Sequence, residues 1–210
     1  MRTQTIDTPE STHIALMQLV AKSFNDLPIV LKGGTALLLC YGLDRFSEDL
    51  DFDANKKLNI INRVSDTLSK YTEKHTIKIS KDTDTVQRLK IHYSKNGLER
   101  FLKIETSFRD PFQNEDTVII DGIKTYQIKN LIDQKVNAMI GRTKARDLYD
   151  VDFLLRTYRE SFTDSTIKKL SETVADINEL EGRFYPAFKD DYILNESELD
   201  NLIIRITSNI

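Results

Sequence analysis

Two glycines set inside an apolar run constrain this chain more than any other feature. Ile29-Val30-Leu31 reads as a short buried strand, Gly33-Gly34 follows almost at once, and from Thr35 an apolar helix ends near Gly42. A strand that enters a helix through glycines leaves backbone amides open beside a helix N-terminus, where negative charge is favoured. Asp49-Leu50-Asp51-Phe52 comes next. Side chains alternate across a strand, so Asp49 and Asp51 share one side while Leu50 and Phe52 face a core. Two carboxylates held side by side repel each other unless a cation lies between them. The stretch therefore predicts a phosphate cradle of Gly33, Gly34 and Thr35 facing a divalent-metal pair. Mg²⁺ (or Mn²⁺) suits it, since Mg²⁺ takes one or two carboxylates together with waters and substrate phosphates.

The rest of the chain reads as a scaffold for that pair. Thr8-Pro9-Glu10 starts a helix with Ile14, Met17, Ala21 and Phe24 on one face. Leu58, Ile61, Val64, Leu68 and Tyr71 mark a second amphipathic helix. Strands are expected at residues 76–79, 86–93 and 100–108, the last two joined at Asn96-Gly97, and a smaller hairpin at Asp121-Gly122. From about Gln127 the spacing turns helical. One helix carries Leu131, Ile132, Val136, Met139 and Ile140, and the next Leu148, Val151 and Leu155. A third carries Ile167, Leu170, Val174, Ile177 and Leu180, with Gly182 as its stop, and a last one is capped by Asn195 or Ser197. The organisation expected is a mixed α/β core over residues 1–125 and a helical region over 126–210 that completes the cleft.

Several further residues carry the charge or proton chemistry that such a site needs. In residues 101–108, Leu102, Ile104 and Phe108 alternate with Lys103, Glu105 and Ser107, which puts Glu105 on the face away from the core. As a third carboxylate it would complete a two-metal site or accept a proton from an attacking hydroxyl. Lys135 follows Leu131 and precedes Met139 by four, at the edge of an apolar stripe, and either snorkels to solvent or meets an anion such as a triphosphate. Asp147 reads equally as a cap, as a partner of Lys135 or Arg146, or as a nucleotide contact. Ser47 is a candidate phosphate donor, and Arg45 either shares that role or braces Asp49.

Other chemistries are disfavoured. His13, His75 and His92 lack metal-ligand spacing, and neither a GxSxG nor a Walker A motif is present. Cys40 is the single cysteine, so no internal disulfide forms. No apolar run spans a membrane and the first residues lack a signal-peptide core, which points to a cytoplasmic protein. A formal net charge of -3 and a pI near 5.7 argue against general nucleic-acid binding while leaving room for a local basic patch.

These residues resemble a known signature. Lys32-Gly33-Gly34-Thr35-Ala36-Leu37, Tyr41-Gly42-Leu43 and Arg45-Phe46-Ser47-Glu48-Asp49-Leu50-Asp51-Phe52 look like the first block of the AbiEii-type nucleotidyltransferases, of the DNA polymerase β-like superfamily. Lys135, Ala138, Arg142, Arg146-Asp147-Leu148-Tyr149-Asp150 and Leu154-Leu155 are similar to its second block. The resemblance implies a polymerase β-like sheet with a helical C-terminal region, and Mg²⁺-dependent transfer of a nucleoside monophosphate from an NTP. It implies an acceptor such as tRNA or a protein hydroxyl, and a cognate antitoxin in a type IV toxin–antitoxin or abortive-infection system. By position, Asp49 and Asp51 match the metal pair, Gly33 and Gly34 the phosphate loop, and Lys135 and Asp147 the downstream lysine and aspartate. Two other readings use the same residues: metal-dependent phosphohydrolysis with water as acceptor, and a nucleotide- or antitoxin-binding module without turnover.

Overall fold

The computed structural model describes residues 8–191, 194 and 198–210. The chain divides into two compact units, residues 1–126 and residues 127–210.

The first unit is built on one mixed sheet. Helix α1 (Pro9–Ser23) starts in a reciprocal cap, in which Thr8 Oγ1 accepts the Ser11 amide at 3.1 Å and Ser11 Oγ accepts the Thr8 amide at 2.9 Å. Strand β1 (Ile29–Lys32) runs directly into α2 (Gly33–Tyr41), which ends at Gly42. The glycines are thus the first helical turn and not a loop ahead of it. Then come β2 (Leu50–Ala54), α3 (Ile61–Tyr71), β3 (Lys74–Asp82), β4 (Val86–Lys95), β5 (Leu98–Ser107), β6 (Thr117–Ile120) and β7 (Ile123–Tyr126).

Among the described residues the seven strands form one sheet in the order β3-β4-β5-β2-β1-β7-β6. Neighbours in sequence pair antiparallel, whereas β2 with β5 and β1 with β7 pair parallel. The β4–β5 register is pinned by Asn96 and Gly97, whose φ values of +53° and +73° are those of a two-residue type I′ turn. Leu89, Ile91, Leu102 and Ile104 are buried on one face of these strands. The alternate residues Arg88, Lys90, Phe101, Lys103 and Glu105 are left for the other.

The second unit is helical, as its periodicity predicts: α4 (Ile128–Gly141), α5 (Ala145–Tyr158), α6 (Asp164–Thr173), α7 (Ile177–Lys189) and α8 (Leu199–Ser208). The expected third helix is two. Asp176 accepts the Glu179 amide at 3.0 Å and caps a new start, so Ile177 and Leu180 belong to α7. Gly182 lies inside α7 and does not stop it. It stands four residues before Pro186, so the carbonyl crowded by the proline ring belongs to a residue with no side chain. The caps expected at Asn195 and Ser197 lie outside the described residues. No described helix is long and apolar enough to cross a membrane.

Candidate active site

The register of the first unit's sheet aligns charged residues across four strands. Lys32 on β1 faces Asp51 on β2, Asp51 faces Glu105 on β5, and Glu105 faces Arg88 on β4. Glu105 therefore stands beside the aspartates, as its alternation predicts. Arg88 Nε donates to it at 2.6 Å. Asp49 lies just ahead of β2 and pairs with Lys103 at 2.6 Å, so its brace is Lys103 and the salt bridge considered for Arg45 is taken by another residue. Asp53, the next acid along β2, is buried; it pairs with Lys32 at 2.5 Å and accepts the Tyr126 hydroxyl at 2.9 Å.

Asp51 is treated differently. Among the described residues no side chain donates a hydrogen bond to its carboxylate. Burial pushes its carboxyl above the ordinary range; the charges of Asp49 and Glu105 push the same way, and Lys103 and Lys32 oppose them. Lys103 responds in kind. Burial alone would depress its ammonium, but the hydrogen bond to Asp49 and the three surrounding carboxylates leave it above its ordinary value.

The glycine turn closes on this carboxylate. Gly33 has φ +76°, a left-handed conformation open to glycine, and a Cβ there would lie 3.7 Å from Asp51 Oδ2. A Cβ on Gly34 would come within 2.8 Å of Arg45 Nη2 and 3.3 Å of Ser47 Oγ. The predicted phosphate-handling residues thus gather at the start of α2. Thr35 Oγ1 donates to the Asp49 carbonyl and accepts the Ser47 hydroxyl, tying the segment before β2 to the helix. Arg45 is buried and donates from Nη1 to the Phe46 carbonyl at 3.0 Å.

A histidine holds the same segment from the other side. His13 Nε2 lies 2.9 Å from the Glu48 carbonyl, which can only accept, so that nitrogen carries the proton. Nδ1 then accepts the Tyr93 hydroxyl at 2.7 Å. Burial lowers the His13 pKa and fixes this neutral form.

The second unit holds the other predicted pair, with one change of partner. Lys135 is 7% exposed and its Nζ lies 2.6 Å from Asp150 Oδ2 but 3.7 Å from Asp147 Oδ1. Asp147 is instead gripped in bidentate fashion by Arg142, at 2.6 and 2.9 Å. Arg146, also considered as its partner, pairs with Asp191 at 3.2 Å.

Residues 14–205 match the model of the family described as "Nucleotidyl transferase AbiEii toxin, Type IV TA system". The chain belongs to the AbiEii family. Among solved structures, it is similar to a candidate nucleotidyltransferase from H. pylori (36% identity, TM-score 0.88, covering 97% of this chain and 94% of that one). It is also similar to JHP933 from Helicobacter pylori (35% identity, TM-score 0.88, covering 98% and 91%). MenT4, a nucleotidyltransferase toxin from Mycobacterium tuberculosis, shares the fold at 14% identity (TM-score 0.56, covering 95% and 82%). A search of curated proteins finds no match. This AbiEii-family chain is therefore a nucleotidyltransferase of the type IV toxin–antitoxin class, with the mixed α/β architecture expected of it.

Sequence reasoning missed several charged partners in this AbiEii-family chain: Lys32 and Asp53, Arg88, Lys103, and Asp150 as the partner of Lys135. Asp53 continues the alternation of Asp49 and Asp51 and was open to the same argument. The others become partners only through strand register or helix packing.

Proposed function

We propose that the chain transfers a nucleoside monophosphate from an NTP to a hydroxyl of an RNA acceptor, of which a tRNA is one, and releases pyrophosphate. The observation that carries this reading is Asp51, a desolvated carboxylate beside Asp49, with Glu105 in register and its Oδ2 against the open side of Gly33. Such a carboxylate is costly to bury alone and fits a divalent cation that a phosphate chain also ligates. Among the described residues no three acidic, histidine or cysteine side chains close on one point, which suits a cation completed by the substrate.

Asp49 and Asp51 would hold Mg²⁺ or Mn²⁺. When bound, the ion supplies positive charge to the phosphates and to the leaving pyrophosphate. The amides of Gly33 and Gly34 and the Ser47 hydroxyl would bind phosphate oxygens at the start of α2. Arg45, behind Gly34, would add charge there. Thr35 would keep Ser47 and Asp49 in place. Glu105 would accept the proton of the acceptor hydroxyl as its oxygen bonds to the α-phosphorus and the α–β anhydride bond breaks, with Arg88 fixing its orientation. Lys135 and Asp147 enter on the family's second block, where Asp150 holds the lysine and Arg142 the aspartate. The setting would be the cytoplasm, with a cognate antitoxin as partner.

The test is incubation with each α-labelled NTP, Mg²⁺ and total RNA, beside an Asp49→Ala, Asp51→Ala double variant. Label should appear in RNA with the wild type alone. NTP consumption without labelled acceptor would make water the acceptor and overturn RNA transfer.

A further inference from the structure

The face of the sheet that carries Asp51 continues outward over β5, β4 and β3, and its charge changes sign on the way. Lys103 is in register with Lys90, and Lys90 with Lys78, so three lysines lie side by side across adjacent strands. The row begins at Asp49, which pairs with Lys103. Among the described residues neither Lys78 nor Lys90 forms an ion pair, and both are exposed. Like charges directly opposite one another on neighbouring strands destabilise a sheet unless an anion lies over them. The β5 acids on this face have their own partners: Glu105 pairs with Arg88 and Glu99 with His92, at 2.6 and 2.8 Å.

The next row, Thr76, His92 and Phe101, lies two residues along the strands, about 7 Å away. Phe101 is 74% exposed, and its ring stacks on His92 with centroids 4.7 Å apart. A large aromatic this open gains nothing from burial in the fold. A groove of about 240 Å³ joins the rows, running from Phe101 past Lys90 and Lys103 to Glu48 and Asp49.

We propose that this face guides the single-stranded end of an RNA acceptor to Asp49 and Asp51, with phosphates over Lys78 and Lys90 and a base stacked on Phe101. The proposal rests on the RNA-transfer reading above and adds where the acceptor lies. Cationic tracks flanked by exposed aromatic rings are how proteins hold single strands without reading sequence. Charge complementarity along the row and an aromatic platform at its side favour RNA over an acidic protein, and the groove ends where a hydroxyl must arrive. It also reconciles a chain of formal net charge -3 with a polyanionic substrate, since Lys103, Lys90 and Lys78 form a local row of positive charge.

The full chain is titrated with a short, unstructured, fluorescently labelled RNA at several salt concentrations. Phe101→Ala and a Lys78→Gln, Lys90→Gln double variant are measured alongside, and Mg²⁺–NTP binding is measured in each protein. All three positions are exposed, and retained NTP binding reports that the variants are folded. Phe101→Ala should raise the RNA Kd roughly tenfold. The lysine variant should weaken binding and flatten the log–log salt slope by about 1.4, as loss of two phosphate contacts requires. NTP affinity should stay unchanged. RNA affinity unaltered in both variants, with NTP binding intact, overturns the path and leaves nucleotidyl transfer standing. Displacement of RNA by poly-glutamate with Phe101→Ala silent also overturns it, since that marks a docking face for an acidic protein. Absence of NTP binding in the wild type sinks the reading beneath it, and this proposal with it.

Discussion

The two units both bury aspartates, but they neutralise them differently. In the helical unit each buried acid has a cation in contact: Asp147 with Arg142, Asp150 with Lys135, and Asp152 with both Arg156 and Arg205. In the sheet unit Asp53 is settled likewise, by Lys32 and Tyr126. Asp51, two residues earlier on the same strand, is desolvated, sits between two other acids, and accepts no side-chain hydrogen bond from any described residue. The contrast separates charge that holds a framework from charge that is left short of positive partners. Buried acids in framework positions are balanced inside the fold, whereas at Asp51 the charges of Lys103 and Lys32 do not offset its burial and its acidic neighbours.

Substitutions can break or sharpen this contrast. The largest effect is expected from Asp51→Asn, which should lower label transfer by at least about a thousandfold, since the charge that would hold the cation is gone. Transfer within tenfold of wild type would remove Asp51 from the site. Asp150→Ala should act on the fold instead. It leaves the Lys135 ammonium buried and no closer to Asp147 than 3.7 Å, at a cost of about 3 kcal/mol, or roughly 6–12 °C in Tm by calorimetry. A Lys135→Met, Asp150→Leu double variant should recover much of that loss, because no lone charge remains.

Asp51→Asn should move Tm in the opposite direction, upward by roughly 2–4 °C, as a repelled carboxylate is relieved. The pH dependence gives the same contrast a sign. Asp51 is held above its ordinary value of 3.8, so the folded chain keeps that proton more readily than the unfolded one. Stability from the neutral form is present below 3.8 and is lost as pH rises through the raised native value. Thermal melts across that window should show the wild type losing stability relative to Asp51→Asn; parallel curves would contradict the assignment. The smallest change is expected for Thr35→Val, about 1 kcal/mol from the lost tie to Asp49, read as a rise in KM for NTP with folding intact.

Much of the sheet and its acids could be read from periodicity and turn residues, because those signals are local. Alternation alone put Asp51 and Glu105 on the open face, and Asn96-Gly97 located the hairpin that carries Glu105. The pairing of cations with acids could not be found that way. Lys32 meets Asp53, Lys103 meets Asp49, and Lys135 meets Asp150 only after strands and helices from separate parts of the sequence are brought into register. The break between α6 and α7 escaped for a related reason. Ile167, Leu170, Val174, Ile177 and Leu180 keep a helical spacing straight through it, and the capping aspartate at 176 outweighs that rhythm. Gly182 misled in the other direction, since its low helix propensity is overridden inside α7.

The parallel pairing of β2 with β5 also sets a timetable. Asp51 leaves the ribosome long before Glu105, and β1 must wait still longer for β7. Such distant pairings close late in folding, after the local hairpins. A half-made chain therefore carries its aspartates on a strand that has β1 beside it but still lacks β5. The cell that makes this toxin meets the assembled site only once residue 126 has emerged, when the sheet unit can close as a whole.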